Sequence, residues 1–284
     1  MSCFRHLLIA AVVPLALIAS PALGVPWHLD AIDSRNLPLD NAYTPSTGNR
    51  GLGYTVWIVS TGINDRHVEF GGRAQQVANF GTGPNEDTVG HGTWLASLAG
   101  GETYGVAPHV QLRGVKVTDE CGRTTVDAII SGLEYVQSNA DGSSVAVVGF
   151  AFETLTDEER IRVNTAVNNL VNSGVPTAVP AGDVAIDACE FSPASASEAV
   201  TVGGLDTSLE PTSWSAYGTC IEIYAPGENM TGAWHSSDTA TNTLGSTAGS
   251  AALVAGALAL YGKDVRALLA NATPMGQGRI RLYV

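Results

Sequence analysis

Basic residues are scarce in this chain, and lysine is nearly absent. Its 284 residues include 14 Lys and Arg against 27 Asp and Glu, and the formal net charge is −13. The lysines are Lys116 and Lys263. Proteins that bind nucleic acid or anionic membranes cluster Lys and Arg on one face or segment, and this chain has no such cluster. We therefore expect neither nucleic acid nor membrane as a partner. An acidic balance is equally what a soluble exported protein needs.

Hydrophobic runs long enough to span a bilayer are also missing. Residues 1–24, MSCFRHLLIAAVVPLALIASPALG, place Arg5 ahead of a short apolar stretch that ends in small residues. This pattern is typical of a secretory signal peptide. The apolar stretch 251–260 is too short as well, and Gly256 interrupts it. We expect a secreted, extracellular protein whose mature part is residues 25–284, one monomeric domain without a recognisable propeptide.

Cysteine is rare, with four in the chain. Three of them, Cys121, Cys189 and Cys220, lie beyond the proposed signal peptide. In an oxidising compartment one pair is expected, which leaves one thiol over.

Apolar segments alternate with amphipathic ones through the middle of the chain. The segments 54–63, 110–117 and 145–152 are rich in β-branched residues and predict buried strands. Segments 124–138 and 156–174 have helical spacing, and the second begins with a Thr-x-x-Glu capping box. Further strands are predicted at 175–179, 199–204 and 221–226. The alternation predicts a single α/β domain with a mostly parallel sheet.

Four segments that follow strands or begin helices carry polar groups suited to chemistry. Function in such sheets gathers beyond the carboxyl ends of the strands. The segments are VSTGI (59–63), VGHGTWLASLAG (89–100), AVPAGD (178–183) and GSTAGSAALVAG (245–256). His91, at the start of a helix, is well placed as a general base; a role in packing or capping is the alternative.

Together these segments resemble the subtilisin-like serine peptidases (subtilases), and in particular the proteinase K-like branch. The similarity runs from PWHLDAID at 26–33 to GRIRLYV at 278–284, and it includes YGVAPHVQLRGVKV at 104–117 and SWSAYGTCIEIYAPG at 213–227. The resemblance implies a subtilisin-like three-layer fold, in which helices flank a mostly parallel central sheet.

The resemblance also implies a catalytic triad, and here the triad is degenerate. The family uses Asp in Asp-Thr-Gly, His in His-Gly-Thr, Ser in Gly-Thr-Ser-Met-Ala, and an Asn that donates to the oxyanion. Carried over, the Asp position is Ser60, the His is retained as His91, the Ser position is Ala248 and the Asn position is Asp183. Ala248 has no oxygen, so no acyl-enzyme can form there. We expect an inactive triad.

Two neighbouring hydroxyls, those of Ser246 and Ser250, are candidates to replace the lost nucleophile. Ser250 follows Ala248 by two residues, a rotation of about 200° on a helix, and should point away from His91. Ser246 precedes Ala248 in the turn and would need a rebuilt loop.

The substrate groove of the family also has counterparts in this chain. In the family, two segments of the groove pair with the substrate backbone as if it were an added strand. The resemblance assigns the first segment to Arg123, Thr124 and Thr125, and the second to Gly149, Phe150, Ala151 and Phe152. Phe152 and Thr124 stand at glycine positions, and Trp94 is bulky, so we expect a crowded groove. The crowding would follow either from drift or from reshaping for another ligand.

Two structural features follow from the resemblance alone. A disulfide is expected between Cys189 and Cys220, which leaves Cys121 as a free thiol or as a partner between chains. A structural calcium ion is expected on the Glu222 carboxylate and the backbone oxygens of Ser197 and Ala199, although Glu is longer than the family's Asp. No catalytic cofactor is expected.

The sequence therefore leaves three functions open. The first is a secreted pseudopeptidase that acts by binding a peptide or protein. The second is an active serine endopeptidase that uses a non-standard constellation around His91, Ser246 and Asp183. The third is a degenerate scaffold without a selected role.

Overall fold

The computed structural model describes residues 24–45 and 47–284. The proposed signal peptide lies outside the described residues, except for Gly24. Within the described ranges, no helix combines the length and apolar character needed to cross a bilayer.

Six α-helices and eleven strands are found in the described part of the chain. The helices are α1 (Trp27–Asp33), α2 (His91–Gly100), α3 (Val126–Asn139), α4 (Asp157–Asn172), α5 (Thr247–Leu260) and α6 (Val265–Asn271). The strands are β1 (Thr55–Ser60), β2 (Ala74–Asn79), β3 (Gln111–Lys116), β4 (Ser144–Val148), β5 (Thr177–Pro180), β6 (Val200–Leu205), β7 (Ile223–Pro226), β8 (Met230–Ala233), β9 (Thr241–Leu244), β10 (Thr273–Gly276) and β11 (Arg279–Arg281).

The central sheet is mostly parallel, which confirms the predicted α/β class. Among the described residues it has nine strands in the order β10-β11-β7-β6-β5-β4-β1-β3-β2, and only the β10–β11 pair is antiparallel. Strands β8 and β9 form a separate antiparallel pair. The strand segments predicted at 54–63 and 145–152 were too long, because the chain leaves the sheet after Ser60 and Val148.

Alternate residues of the central strands face two separate cores. In β1, Val56 and Ile58 pack with α2 and α5, while Trp57 and Val59 pack with α3 and α4. The sheet is therefore covered on both faces, which gives three layers.

Helix α5 is the most deeply buried helix, since all of its residues are buried. Its small side chains let it pack closely against α2. A Cβ atom at Gly256 would lie 2.5 Å from the carbonyl oxygen of Ala99, which is closer than two such atoms approach. The first residues of α2 and α5 line one cleft together with residues at the carboxyl ends of β1, β4 and β5, where α/β proteins place their sites.

Candidate active-site cleft

A cleft of about 440 Å³ lies where these helix and strand ends converge. The sequence-predicted residues that line it are His91, Arg123, Gly149, Phe150, Ala151, Asp183, Ser246 and Ala248. Thr124 and Thr125 line a neighbouring cavity of about 330 Å³ beside Phe80. The structure thus brings the counterparts of the family's nucleophile, base and oxyanion donor to one place.

His91 is the first residue of α2, and a buried carboxylate fixes the start of that helix. Asp87 Oδ1 accepts hydrogen bonds from the backbone N–H groups of Val89 and Gly90, at 3.0 and 2.8 Å. Its Oδ2 accepts from the Thr93 N–H and hydroxyl, at 2.9 and 2.6 Å. The Thr61 hydroxyl donates to Oδ1 at 2.9 Å. Sequence reasoning missed Asp87, and an acidic residue shortly before a predicted helix was the only signal for it.

The His91 imidazole has a neutral orienting partner. Its Nδ1 lies 3.1 Å from the hydroxyl of Ser60, a fully buried residue at the end of β1. The rings of Trp94 and Phe150 lie 5.9 and 6.3 Å from the imidazole, centroid to centroid. Burial lowers the pKa of His91 below its ordinary value, and the negative charges of Asp87 and Asp183 partly oppose this shift. Burial therefore favours the neutral form of the His91 imidazole.

At the start of α5, Ala248 carries a methyl group in the cleft wall, and its neighbours are occupied with each other. Asp183 Oδ1 accepts from the Thr247 N–H and hydroxyl, at 2.8 and 2.7 Å. Asp183 Oδ2 accepts from the Ser246 hydroxyl at 2.7 Å. The Ser246 oxygen accepts in turn from the Ala248 N–H at 3.0 Å. This arrangement satisfies the helix end internally.

Ser250 is fully buried, and its hydroxyl donates to the carbonyl oxygen of Pro226 at 2.9 Å. This position agrees with the expectation that Ser250 points away from His91.

The expectation that Trp94 crowds the groove was wrong. Trp94 is fully buried below His91, and its indole N–H donates to the Met230 carbonyl at 3.0 Å. A Cβ atom at Gly249 would lie 2.4 Å from the Trp94 ring. Trp94 thus occupies the space that a side chain at position 249 would need, and the two positions form one packing unit.

Phe150 lines the cleft, whereas Phe152 is not one of the residues that line it. The two rings stack with centroids 6.2 Å apart. The backbone of Phe152 pairs with Ser192, and the Thr124 hydroxyl donates to the Val117 carbonyl at 2.6 Å. The side chain that narrows the cleft is therefore that of Phe150.

The structure contains the disulfide between Cys189 and Cys220 that the resemblance implied. No cysteine in the described ranges is a free thiol. The expectation of a free thiol at Cys121 was therefore wrong.

The residues expected to hold calcium fit that ion poorly. Glu222 Oε2 already accepts from the Thr201 N–H at 2.6 Å, and burial raises the pKa of the Glu222 carboxyl. Arg279 lines the same cavity as Glu222 and brings a positive charge to it. The described residues contain no group of three or more His, Cys, Asp and Glu side chains that could hold a metal ion. Calcium prefers six to eight oxygen ligands, and with Ser197 and Ala199 this set offers one partly engaged carboxylate and two backbone oxygens.

Comparison with known proteins identifies the family. Residues 51–274 match the Subtilase family. The chain belongs to this family. Relatives of this subtilase include the alkaline serine exoprotease A of Vibrio alginolyticus, 39% identical over 237 residues, which are 83% of this chain and 43% of that protein. The extracellular serine proteinase of Thermus sp. strain Rt41A is 40% identical over 246 residues, 86% of this chain and 58% of that protein. The cuticle-degrading protease of Metarhizium anisopliae is 38% identical over 249 residues, 87% of this chain and 63% of that protein.

A solved structure confirms the subtilisin-like fold. The crystal structure of a cold-adapted subtilisin-like serine proteinase superposes with a TM-score of 0.84 at 34% identity. The match covers 92% of this chain and 98% of that chain. The chain spans 43–63% of the length of the three relatives described above.

Proposed function

We propose that this subtilase is a catalytically inactive pseudopeptidase that acts by binding a peptide or protein in the cleft. The observation that carries the proposal is the methyl group of Ala248 in the wall of the cleft that holds His91. Acyl transfer by this family proceeds through a covalent intermediate, and a methyl group forms none.

The orienting partner of His91 supports the same conclusion. A base that takes a proton from a nucleophile becomes an imidazolium, which a carboxylate at Nδ1 stabilises. Ser60 offers only a neutral hydroxyl at 3.1 Å. In a model serine protease, replacing that carboxylate by a neutral amide lowers kcat by about 10⁴. Restoring a nucleophile alone would therefore leave a weak base.

The remaining cleft keeps features suited to binding a polypeptide. Its lining includes the aromatic residue Phe150 and the charged residues Arg123 and Glu153. An apolar surface with a few placed charges is the usual composition of a ligand site. We propose an extended peptide segment as the ligand, lying along Gly149 to Ala151.

Export and a monomeric state are part of the proposal. Residues 1–24 have the pattern of a signal peptide, and the Thermus relative is named an extracellular proteinase. The net charge of −13 argues against nucleic acid or an anionic membrane as partner.

The alternative is an active serine endopeptidase that uses Ser246. One observation favours it, because the Ser246 hydroxyl lines the cleft and donates to Asp183 at 2.7 Å. Against it, the proton of that hydroxyl goes to Asp183 and its oxygen accepts from the Ala248 N–H. Both bonds hold Ser246 in a capping role.

Binding is tested separately from turnover. Wild-type protein, immobilised, is exposed to a peptide library, and the retained peptides are identified by mass spectrometry. The control is Ala151→Trp, which fills the cleft with a large ring. We expect retention of a subset of peptides by the wild type and its loss in the control. Equal retention of peptides by both proteins, or no retention by the wild type, would contradict the proposed binding function.

A further inference from the structure

We infer that Ser246 and Asp183 together close the oxyanion-binding end of α5, so that restoring the triad alone does not restore hydrolysis. This inference rests on the proposed inactivity and deepens it. Subtilisin-like acyl transfer needs backbone N–H groups and a side-chain donor aimed at the developing oxyanion. The first four N–H groups of a helix are the natural source, because they have no partner within the helix.

All four of these N–H groups in α5 have an acceptor from the chain itself. The Thr247 N–H donates to Asp183 and the Ala248 N–H to the Ser246 hydroxyl oxygen. The Ser246 N–H donates to the Gly227 carbonyl at 2.8 Å, and the Gly249 N–H donates to the Ser246 carbonyl at 3.1 Å. An oxyanion at this helix end would therefore have to displace a bond that already exists.

Ser246 and Asp183 act as one unit. The Ser246 hydroxyl donates to Asp183 Oδ2 and accepts from the Ala248 N–H, so the carboxylate orients the hydroxyl that caps the helix. Ser246 has an extended backbone with φ −170°, which any residue adopts. A glycine at position 246 would adopt the same backbone conformation. What Ser246 adds is therefore its side-chain hydroxyl, which caps the helix.

The charge of Asp183 adds to the closure. An asparagine amide at this position would donate a hydrogen bond to an oxyanion, whereas an ionised carboxylate only accepts. The Asp183 carboxylate already holds the Thr247 N–H, the Thr247 hydroxyl and the Ser246 hydroxyl. It therefore supplies an internal negative charge where the reaction would develop one. Ser246 and Asp183 are therefore positioning residues, because they act by occupying the hydrogen-bond donors at the start of α5.

A set of restored variants tests the inference by turnover. The background is Ser60→Asp with Ala248→Ser, and the added change is Ser246→Ala, which removes only the capping hydroxyl. Because one oxyanion donor is worth about 10² to 10³ in kcat, we expect kcat to rise about 100-fold with KM unchanged. Adding Asp183→Asn should raise kcat further.

Two matched controls separate closure from general damage to the helix. Ser246→Thr keeps a hydroxyl and should leave kcat low. Ser250→Ala removes a hydroxyl from the same helix away from its amino end and should also leave kcat low. Equal kcat with and without Ser246→Ala would overturn the inference, as would a rise in either control.

Amide hydrogen exchange tests the same closure without activity and without the substitutions at positions 60 and 248. In ¹⁵N-alanine-labelled protein we expect the Ala248 amide to exchange at least tenfold faster in Ser246→Ala than in the wild type or in Ser246→Thr. Unchanged exchange would overturn the inference. Hydrolysis by the wild-type chain would instead refute the proposed inactivity, so the two failures are distinct.

Discussion

Two helices begin at the cleft, and each has a carboxylate at its amino end. At α2, Asp87 is buried and binds groups on both sides of His91, which leaves the imidazole directed into the cleft. At α5, Asp183 lines the cleft itself and binds Thr247 and Ser246, next to the position where a nucleophile would stand. A carboxylate at the helix amino end thus flanks the imidazole at α2, whereas at α5 it binds the residues that precede Ala248.

If the chemistry is lost as proposed, two contacts at the start of α5 account for the survival of the fold. The capping at α5 satisfies the helix end with groups of the chain, and Trp94 fills the space beside Gly249. A cleft that had decayed without compensation would leave unpaired donors and a void. Among the described residues, the buried side-chain atoms without a hydrogen-bond partner do not include any atom of Asp183, Ser246 or Thr247.

Removing the carboxylate at α2 should have the largest effect. Asp87→Ala leaves three backbone N–H groups and two hydroxyls without their acceptor in a buried place. We expect a loss of about 3 kcal/mol in the free energy of unfolding, measured by urea denaturation. The control is Glu134→Ala on the exposed face of α3, expected within about 0.5 kcal/mol of the wild type. An equally small loss for Asp87→Ala would show that the two helix ends do not differ in the way described.

The contact between the two helices should be next in size. Gly249→Ala places a Cβ atom 2.4 Å from the Trp94 ring and 2.5 Å from the Met230 side chain. We expect a loss of about 2 kcal/mol from overpacking, by thermal or urea unfolding. Gly48→Ala is the control, since a Cβ there meets no atom within 4 Å. Equal stability of both variants would mean that Trp94 does not fill the space beside position 249.

The cap at α5 should contribute less than the one at α2. Ser246→Ala removes an N-cap side chain, for which a loss of about 1 kcal/mol is typical. Asp183→Ala and the double variant complete a cycle, and because the two side chains are hydrogen-bonded we expect the combined loss to be smaller than the sum. Strict additivity would contradict the view that they act as one unit.

The smallest expected effect is electrostatic and crosses the cleft. The charge of Asp183 raises the pKa of His91 against the lowering by burial. Asp183→Asn should therefore lower the pKa of His91 further, as measured by an NMR titration of the imidazole. Because that pKa lies below 6.5 in the folded state, the unfolded chain binds the proton first, and stability due to His91 is lost as pH falls below about 6.5. An unchanged pKa in Asp183→Asn would show that the two helix ends do not interact, and a raised pKa would contradict the predicted sign.

The sequence predicted the strands well, because their length and their β-branched, apolar composition can be recognised without knowing the tertiary structure. The sequence did not predict at which residues the apolar runs 54–63 and 145–152 leave the sheet. Residues 149–152 are as apolar as β4, yet Gly149, Phe150 and Ala151 line the cleft and Phe152 pairs with Ser192 outside the central sheet. The position of the cleft followed from the order of motifs and from the resemblance.

The chemistry inside the cleft was less accessible from the sequence. Asp87 accepts a hydrogen bond from Thr61, which lies 26 residues earlier in the chain, and no local pattern marks such a bond. Trp94 was expected in the groove because adjacency to His91 in sequence does not specify which side of α2 a side chain occupies. The cap by Ser246 has a local pattern, but its pairing with Asp183 depends on the neighbouring β5 end.

Labelling of the wild-type protein with a fluorophosphonate probe is the most direct test of the inactive cleft. The protein is incubated with the probe and a quenched peptide library beside a labelled active subtilase, and adducts are mapped by mass spectrometry. We expect no adduct and no cleavage from a protein that melts cooperatively. An adduct on Ser246, with turnover abolished in His91→Ala, would contradict the central claim and establish an active peptidase with a displaced nucleophile.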